Sequence, residues 1–168
     1  MKNILYAPWR SEYINKAKIQ GCVFCHISHH KEDDTSAHVL YRDEECFIVM
    51  NKYPYTPGHF MIIPHMHTDN LESLPSQTWL HMSDLAQKSV RLLKDGFGAK
   101  GVNIGMNLGE NAGAGIAEHI HMHIVPRWPR DTNFITSIAS TRVYSTDFEK
   151  IYIRLKELLP NYISTSSF

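Results

Sequence analysis

The sequence predicts an α+β domain built on an antiparallel sheet of about five strands, with one long helix and one C-terminal helix. Short runs of β-branched, aromatic and other apolar residues are joined by polar or proline-punctuated links, which is typical of strands connected through hairpins. Two other stretches, residues 76–96 and 147–159, carry apolar residues at helical spacing instead. Strands in one set, with helices between and after them, favour the α+β class.

Length and charge limit what the chain can be. Its 168 residues fit one domain with a sizeable core, so we expect a single domain over residues 1–168 with an N-terminal arm at 1–21. Lysine plus arginine (17) equals aspartate plus glutamate (17), and no net field would attract a nucleic-acid duplex or an anionic membrane. No apolar run is long enough to cross a bilayer or to serve as a signal peptide. These observations predict a cytoplasmic protein.

The first strands are predicted in the first half of the chain. His38–Tyr41 and Cys46–Met50 are β-rich runs separated by four polar residues, which indicates a hairpin. A proline-punctuated loop, Asn51–Gly58, then leads into the strand His59–Ile63. His59 therefore stands at the start of this strand.

The helices and the fourth strand follow. Ser76 is a plausible N-cap of the long helix, and Gly96 and Gly98 end it. Gly101–Asn107 reads as a strand with alternating apolar residues. The C-terminal helix, Asp147–Leu159, is capped by Thr146 or Asp147 and ends at a proline.

The most informative stretch is His119–Val125, in which three histidines alternate with three large apolar residues. Because side chains alternate faces along a strand, all three imidazoles should emerge on one side while the apolar residues enter the core. Neutral imidazole can act near physiological pH as a nucleophile or as a metal ligand. A glycine-rich turn, Leu108–Gly115, immediately precedes the stretch, and such turns let backbone N–H groups approach a phosphate.

Three cysteines, an odd number, argue against a disulfide framework. Two of them, Cys22 and Cys25, form a Cys-x-x-Cys pair in a compact knuckle at 22–27, which indicates a metal site or a redox pair. Cys46 lies in an apolar run and is most simply a buried small hydrophobe.

The motif His119–Val125 resembles the signature of the histidine triad (HIT) superfamily of nucleotide hydrolases and transferases. Asn51 with Pro57–Pro64 is similar to that family's ribose-binding segment and strand, and Cys22–Cys25 to the knuckle of its zinc-containing members. The flanking segments resemble the bacterial branch that acts on dinucleoside polyphosphates: Trp9–Arg10, Pro126–Trp128 and Asp131–Phe134. The resemblance implies a HIT-like sheet and a homodimer whose sheets join across a two-fold axis.

The resemblance also implies roles for individual residues. His121 would attack the α-phosphorus and form a covalent nucleotidyl-histidine, which water or inorganic phosphate then displaces. His123 and His59 would bind phosphoryl oxygens or orient the nucleophile, and Asn51 would contact the ribose. Residues expected to hold the phosphates are Asn107 and the amides of Gly113, Ala114 and Gly115. Family members often carry a serine or threonine just before the triad, whereas this chain has Gly115–Glu118 and is one residue longer there.

For the metal, the resemblance adds two ligands to Cys22 and Cys25, namely His67 and His119. Two thiolates and two imidazoles make a complete tetrahedral zinc site, and four protein ligands leave no open position for water, so we expect a structural zinc. His65 competes with His67 for this place, and the sequence favours His67 only from the resemblance.

The favoured activity is cleavage of dinucleoside polyphosphates such as diadenosine tetraphosphate, by phosphorolysis or hydrolysis. The flanking residues Trp128 and 131–134 favour phosphorolysis. Two alternatives remain: a nucleoside phosphoramidate hydrolase that uses the same strand, and a non-catalytic nucleotide-binding module that keeps the fold and the zinc.

Overall fold

A computed structural model describes residues 21–129, 131, 138 and 146–163 of the protein. The expected N-terminal arm, apart from its last residue Gly21, and the segment 132–134 lie outside this range. The described elements follow one another along the chain in this order: α1 (Val23–His29), β1 (Val39–Arg42), β2 (Cys46–Met50), β3 (Phe60–Pro64), α2 (Ser76–Arg91), β4 (Gly101–Gly105), β5 (Met122–Arg127) and α3 (Phe148–Leu158). The predicted α+β class is confirmed.

The strands form one antiparallel sheet with the order β1-β2-β3-β5-β4. β5, the strand of the histidine motif, therefore lies between β3 and β4. Its His123 is paired with Met61 on one side and with Gly105 on the other. The predicted hairpin between the first two strands is present, and the Asp43 carboxylate closes its turn by accepting from the backbone N–H groups of Glu45 and Cys46.

The two faces of the sheet are covered differently. On one face, residues such as Ile48, Phe60 and Ile124 join α2 and α3 in the main core. On the other face, a smaller cluster around Phe47 and Met61 is covered by α1. The alternation of side chains places His123 on this second face, because its partner Met61 belongs to the smaller cluster.

The helix ends only partly follow the prediction. Ser76 is not the N-cap of α2 but its first helical residue, and Pro75 occupies the N-cap without a side-chain hydrogen bond. After Arg91 the helix widens into a π-helical turn, Leu92–Gly96, whose first two residues are fully buried. At α3 the prediction of Asp147 as the cap is confirmed, since its carboxylate accepts from the N–H groups of Glu149 and Lys150.

The segment predicted as a compact knuckle at 22–27 is the start of an α-helix. α1 buries Phe24 and Ser28 and leaves the two thiols half-buried at its first turn. None of the described helices is long and apolar enough to span a membrane.

Candidate active site and metal centre

The histidine motif enters the sheet later than predicted. The strand begins at Met122, so His119–His121 form an irregular lead-in rather than its first residues. The Ile120 N–H donates to the Thr68 carbonyl instead of to a neighbouring strand. The predicted alternation nevertheless holds, because all three apolar residues of the motif are at most 4% exposed in the main core. The three histidines are also buried.

The ring of His121 has one defined hydrogen bond. Its Nδ1 lies 2.9 Å from the His119 carbonyl oxygen. A carbonyl oxygen only accepts, so Nδ1 carries the proton and the lone pair is on Nε2. Burial lowers the pKa of His121, and the bond to the carbonyl partly offsets this. The ring is therefore a neutral imidazole with a nucleophilic nitrogen, packed 5.1 Å from the Phe24 ring centroid.

His59 and His123 form a chain of hydrogen bonds that fixes their tautomers. The Tyr55 backbone N–H donates to His59 Nδ1 over 3.1 Å, so the proton of the neutral His59 ring is on Nε2. That Nε2–H donates to His123 Nδ1 over 3.0 Å. His123 in turn keeps its proton on Nε2, where it can be donated to a phosphoryl oxygen.

Electrostatics keep both rings of this chain neutral. Burial and the neighbouring imidazoles lower the pKa of His59 to about 3. Burial, followed by the effect of His121, lowers the pKa of His123 to about 4. Both rings are uncharged near neutral pH, as the hydrogen-bond chain requires.

The predicted substrate-binding residues lie around these rings. The side-chain amide nitrogen of Asn51 is 3.4 Å from His59 Nε2, and its Oδ1 accepts from the Tyr53 N–H. Asn107 lines a cleft of about 230 Å³ that also contains His123. Asn51 therefore lies next to His59, and Asn107 shares a cleft with His123.

The glycine-rich turn is more constrained than the sequence indicated. A 3₁₀ turn, Glu110–Ala112, lies between Gly109 and Gly113, whose φ angles of 81° and 87° are in the left-handed region that favours glycine. The amides of Gly113 and Ala114 already donate within the turn, to Glu110 and Gly109. Of the three predicted amides, that of Gly115 is the one with no hydrogen bond inside the described turn.

The four residues predicted as metal ligands come together. The ligand atoms of Cys22, Cys25, His67 and His119 all lie within 4.8 Å of one another. Three sulfur-to-nitrogen distances are 3.4 Å (Cys22–His119), 3.2 Å (Cys25–His67) and 3.7 Å (Cys25–His119). A tetrahedral zinc with these ligands needs separations of about 3.3–3.8 Å. The donor set therefore fits a closed zinc site.

The hydrogen bonds of His119 and His65 indicate which histidines can serve as metal ligands. His119 Nε2 donates to the Pro64 carbonyl over 2.9 Å, which leaves Nδ1 free to face the thiols. His65 is engaged elsewhere: the Ser28 hydroxyl lies 2.7 Å from its Nδ1, and its Nε2 donates to the Asp43 carbonyl over 3.0 Å. The geometry favours His67 over His65.

Two aromatic residues of the site were missed by sequence reasoning. Phe24 packs against His119 and His121, and Tyr55 packs against His59 and His123. Phe24 lies between the two cysteines, and Tyr55 lies in the proline-rich loop before His59. The sequence does show an aromatic residue inside each of these two segments. The residue pattern, however, does not indicate which histidine ring each aromatic side chain contacts.

Comparison with known proteins defines the class of protein. A family model described as HIT domain matches residues 32–130, more than half of the chain. The chain thus belongs to the HIT family, whose members process nucleotides as hydrolases and transferases.

Individual relatives narrow the comparison further. A protein of Mycobacterium tuberculosis named AP-4-A phosphorylase is 34% identical over 148 residues, which cover 83% of this chain and 75% of that protein. The crystal structure of a Zn-bound histidine triad family protein from Mycobacterium smegmatis is 32% identical in sequence, with a TM-score of 0.68. The match covers 84% of this chain and 94% of that chain. An Arabidopsis thaliana protein named adenylylsulfatase HINT3 is 32% identical over 110 residues, covering 66% of this chain and 54% of that protein.

Proposed function

We propose that the protein cleaves dinucleoside polyphosphates, diadenosine tetraphosphate foremost, through a covalent nucleotidyl-histidine on His121, with inorganic phosphate as the acceptor. The observation that carries this proposal is the bond from His121 Nδ1 to the His119 carbonyl. It directs a neutral, unprotonated Nε2 away from the backbone. A module that only binds nucleotides would not need a nucleophile held in this way.

In the first step, His121 Nε2 attacks the α-phosphorus and the bond from that phosphorus to the bridging oxygen breaks. The polyphosphate chain leaves with the second nucleoside. His121 becomes positively charged, and its Nδ1–H remains bonded to the His119 carbonyl, whose partial negative charge stabilises the cation. His123 donates its Nε2–H to a phosphoryl oxygen, since its Nδ1 already accepts from His59.

In the second step, an oxygen of inorganic phosphate attacks the same phosphorus and the bond to His121 Nε2 breaks. ADP is released and the neutral imidazole is restored. Asn51 contacts the ribose, while Asn107 and the Gly115 amide hold the phosphates. Two easier displacements on a pre-positioned substrate replace one difficult displacement.

Cys22, Cys25, His67 and His119 would hold a zinc ion. A zinc with four protein ligands supplies structural stability and leaves no place for a reacting water. The residues themselves link α1 to the lead-in of β5. Because the His119 carbonyl orients His121, the metal ligands and the nucleophile share one short backbone segment.

We also propose that a second copy of the chain covers the groove between α2 and β4. The groove has a volume of about 530 Å³, and its lining includes Trp79, Ile104 and Met122. Ile104 is 48% exposed and Trp79 37%. Among the described strands β4 lies at an edge of the sheet, and a two-fold copy would extend the sheet there and bury this apolar surface.

Product analysis tests the reaction. With diadenosine tetraphosphate, the proposal expects ADP and ATP only when inorganic phosphate is present, and AMP with ATP in its absence would indicate hydrolysis instead. The AP-4-A phosphorylase relative supports the phosphorylase. The adenylylsulfatase relative makes adenylyl sulfate the second substrate to assay. Absence of turnover with any adenylyl substrate would overturn the enzymatic proposal.

A further inference from the structure

We propose that the Tyr55 side chain forms one wall of a subsite for the nucleoside that leaves with the polyphosphate chain. Tyr55 would thus determine specificity for dinucleoside over mononucleoside substrates. This inference rests on the proposed function and adds a residue and a binding region to it.

Tyr55 is an aromatic ring that is both exposed and held in place. The residue is 54% exposed, yet its backbone N–H donates to His59 Nδ1. Its ring centroid lies 4.6 Å from that of His59 and 5.7 Å from that of His123, at interplanar angles of 36° and 31°. One side of the ring therefore packs on the imidazoles, and the other remains available for stacking.

The ring borders the cleft of about 230 Å³ described above. The remaining lining comes from β4, β5 and the residues after β4: Asn103, Ile104, Gly105, Met106, Asn107, His123 and Val125. His123 and Val125 point to the same face of β5. Opposite His123, Gly105 has no side chain, and a Cβ added there would meet no atom within 4 Å. The floor of the cleft is thus open and largely apolar next to a phosphate-facing histidine.

The cleft lies on the opposite side of His123 from Asn51, the residue proposed to contact the first ribose. Asn51 directly follows β2, and α1 covers the β2–β3 half of this face. The cleft instead lies over β5 and β4. A substrate bound with its α-phosphate at His121 and His123, and its first ribose at Asn51, would extend its remaining phosphates over the β4 side.

The chemistry of the cleft suits a nucleoside. A flat, exposed aromatic ring stacks on any nucleobase, and loss of such a ring weakens binding of a base about five- to a hundredfold. Farther along β5, on the same face as Val125, the Arg127 guanidinium donates to the Asn103 amide oxygen. The same guanidinium pairs with the Asp131 carboxylate over 2.7 Å, so it contributes no unpaired positive charge to the cleft.

The test compares diadenosine tetraphosphate with adenosine tetraphosphate, which has the same phosphate chain without the second nucleoside. Tyr55→Ala should lower kcat/KM for the dinucleotide by a factor about fivefold or more larger than the factor by which it lowers kcat/KM for the mononucleotide. The difference should come mainly from a higher KM for the dinucleotide. Tyr55→Phe, which keeps the ring, should preserve the ratio of kcat/KM for the dinucleotide to kcat/KM for the mononucleotide. Tyr55→Leu, which is apolar but not aromatic, should lower this ratio as Tyr55→Ala does.

Binding provides a readout that does not depend on turnover. In a His121→Asn background, calorimetry should show Tyr55→Ala weakening the dinucleotide more than the mononucleotide. Equal losses for both ligands, or a Tyr55→Leu variant that behaves like the parent, would overturn the subsite while leaving the proposed function intact. If the unmodified protein cleaves neither substrate, the proposed function fails and this inference fails with it.

Discussion

The Nδ1 atom of His121 lies 2.9 Å from the backbone carbonyl oxygen of His119. The side chain of His119 meanwhile belongs to the cluster of two cysteines and two histidines. One residue thus joins two centres: its ring faces the thiols, and its carbonyl fixes the tautomer of the proposed nucleophile.

The first prediction concerns the metal. His67→Ala should reduce the zinc content of purified protein well below one ion per chain, because Cys25 loses its neighbouring nitrogen ligand. His65→Ala is the matched control and should keep its zinc, since that ring bonds to Ser28 and Asp43 instead. Elemental analysis measures both. Loss of zinc from His65→Ala, with retention by His67→Ala, would reverse the ligand assignment.

The second prediction concerns the pH dependence of stability. The pKa of His59 is about 3 in the folded protein, compared with about 6.5 in an unfolded chain. Between these values the unfolded state binds more protons, so the stability associated with neutral His59 is complete above pH 6.5 and is lost as the pH falls towards 3.

Urea unfolding at pH 7 and pH 5 measures this effect. Between these pH values the unmodified protein should lose about 2 kcal/mol more of its unfolding free energy than His59→Asn does. Protonation of groups that do not contact His59, including the zinc ligands, affects both proteins alike, and His123 is the titrating neighbour whose hydrogen bond differs between them. Equal losses in the two proteins would show that His59 is not held neutral.

The third prediction concerns the loop that carries His59. The Trp128 indole N–H donates to the Pro57 carbonyl over 3.0 Å, and its ring packs on Phe97. Trp128→Phe keeps an aromatic ring but removes the donor, and should cost about 1 kcal/mol of stability. Because Pro57 lies two residues before His59, kcat/KM should fall as well. A normal kcat/KM at a temperature where the variant is fully folded would show that this bond does not position the loop.

The fourth prediction concerns self-association. Ile104→Lys places a charge in the apolar groove between α2 and β4 and should convert the proposed dimer to a monomer. Ile153→Lys is the control, because Ile153 is similarly exposed (53%) but lies on α3, outside the groove. Light scattering coupled to size exclusion distinguishes the masses. A monomeric parent protein, or an Ile104→Lys dimer, would contradict the proposed interface.

Much of the fold follows from local patterns. The alternation in His119–Val125 correctly predicts that Ile120, Met122 and Ile124 enter the core, because the period of a strand persists even where pairing has not begun. The strand start was predicted too early, since backbone pairing depends on the neighbouring strand. Ser76 failed as a cap because Pro75 occupies that place, and a side chain suited to capping does not ensure that the helix starts after it.

The residues of the candidate site could largely be predicted from the sequence, but the tautomers of its histidines could not. The identities of Cys22, Cys25 and the three motif histidines stand out in the sequence, and the cluster of four ligands agrees with them. Which nitrogen of each histidine is protonated depends on backbone groups that the residue pattern does not identify, such as the Pro64 carbonyl for His119 and the His119 carbonyl for His121. Tyr55 was missed because its contact is with His123, a residue distant in sequence on β5, the strand next to β3.

The central claim is that His121 carries the nucleotide during turnover. It is tested most directly by mixing the protein with diadenosine tetraphosphate without inorganic phosphate, quenching at alkaline pH and mapping the adduct by mass spectrometry. The account predicts an adenylyl group on the peptide that contains His121, and no such group in His121→Asn. When inorganic phosphate is added before the quench, the adenylyl group should be released as ADP. An adduct on another residue, or full turnover by His121→Asn, would contradict it.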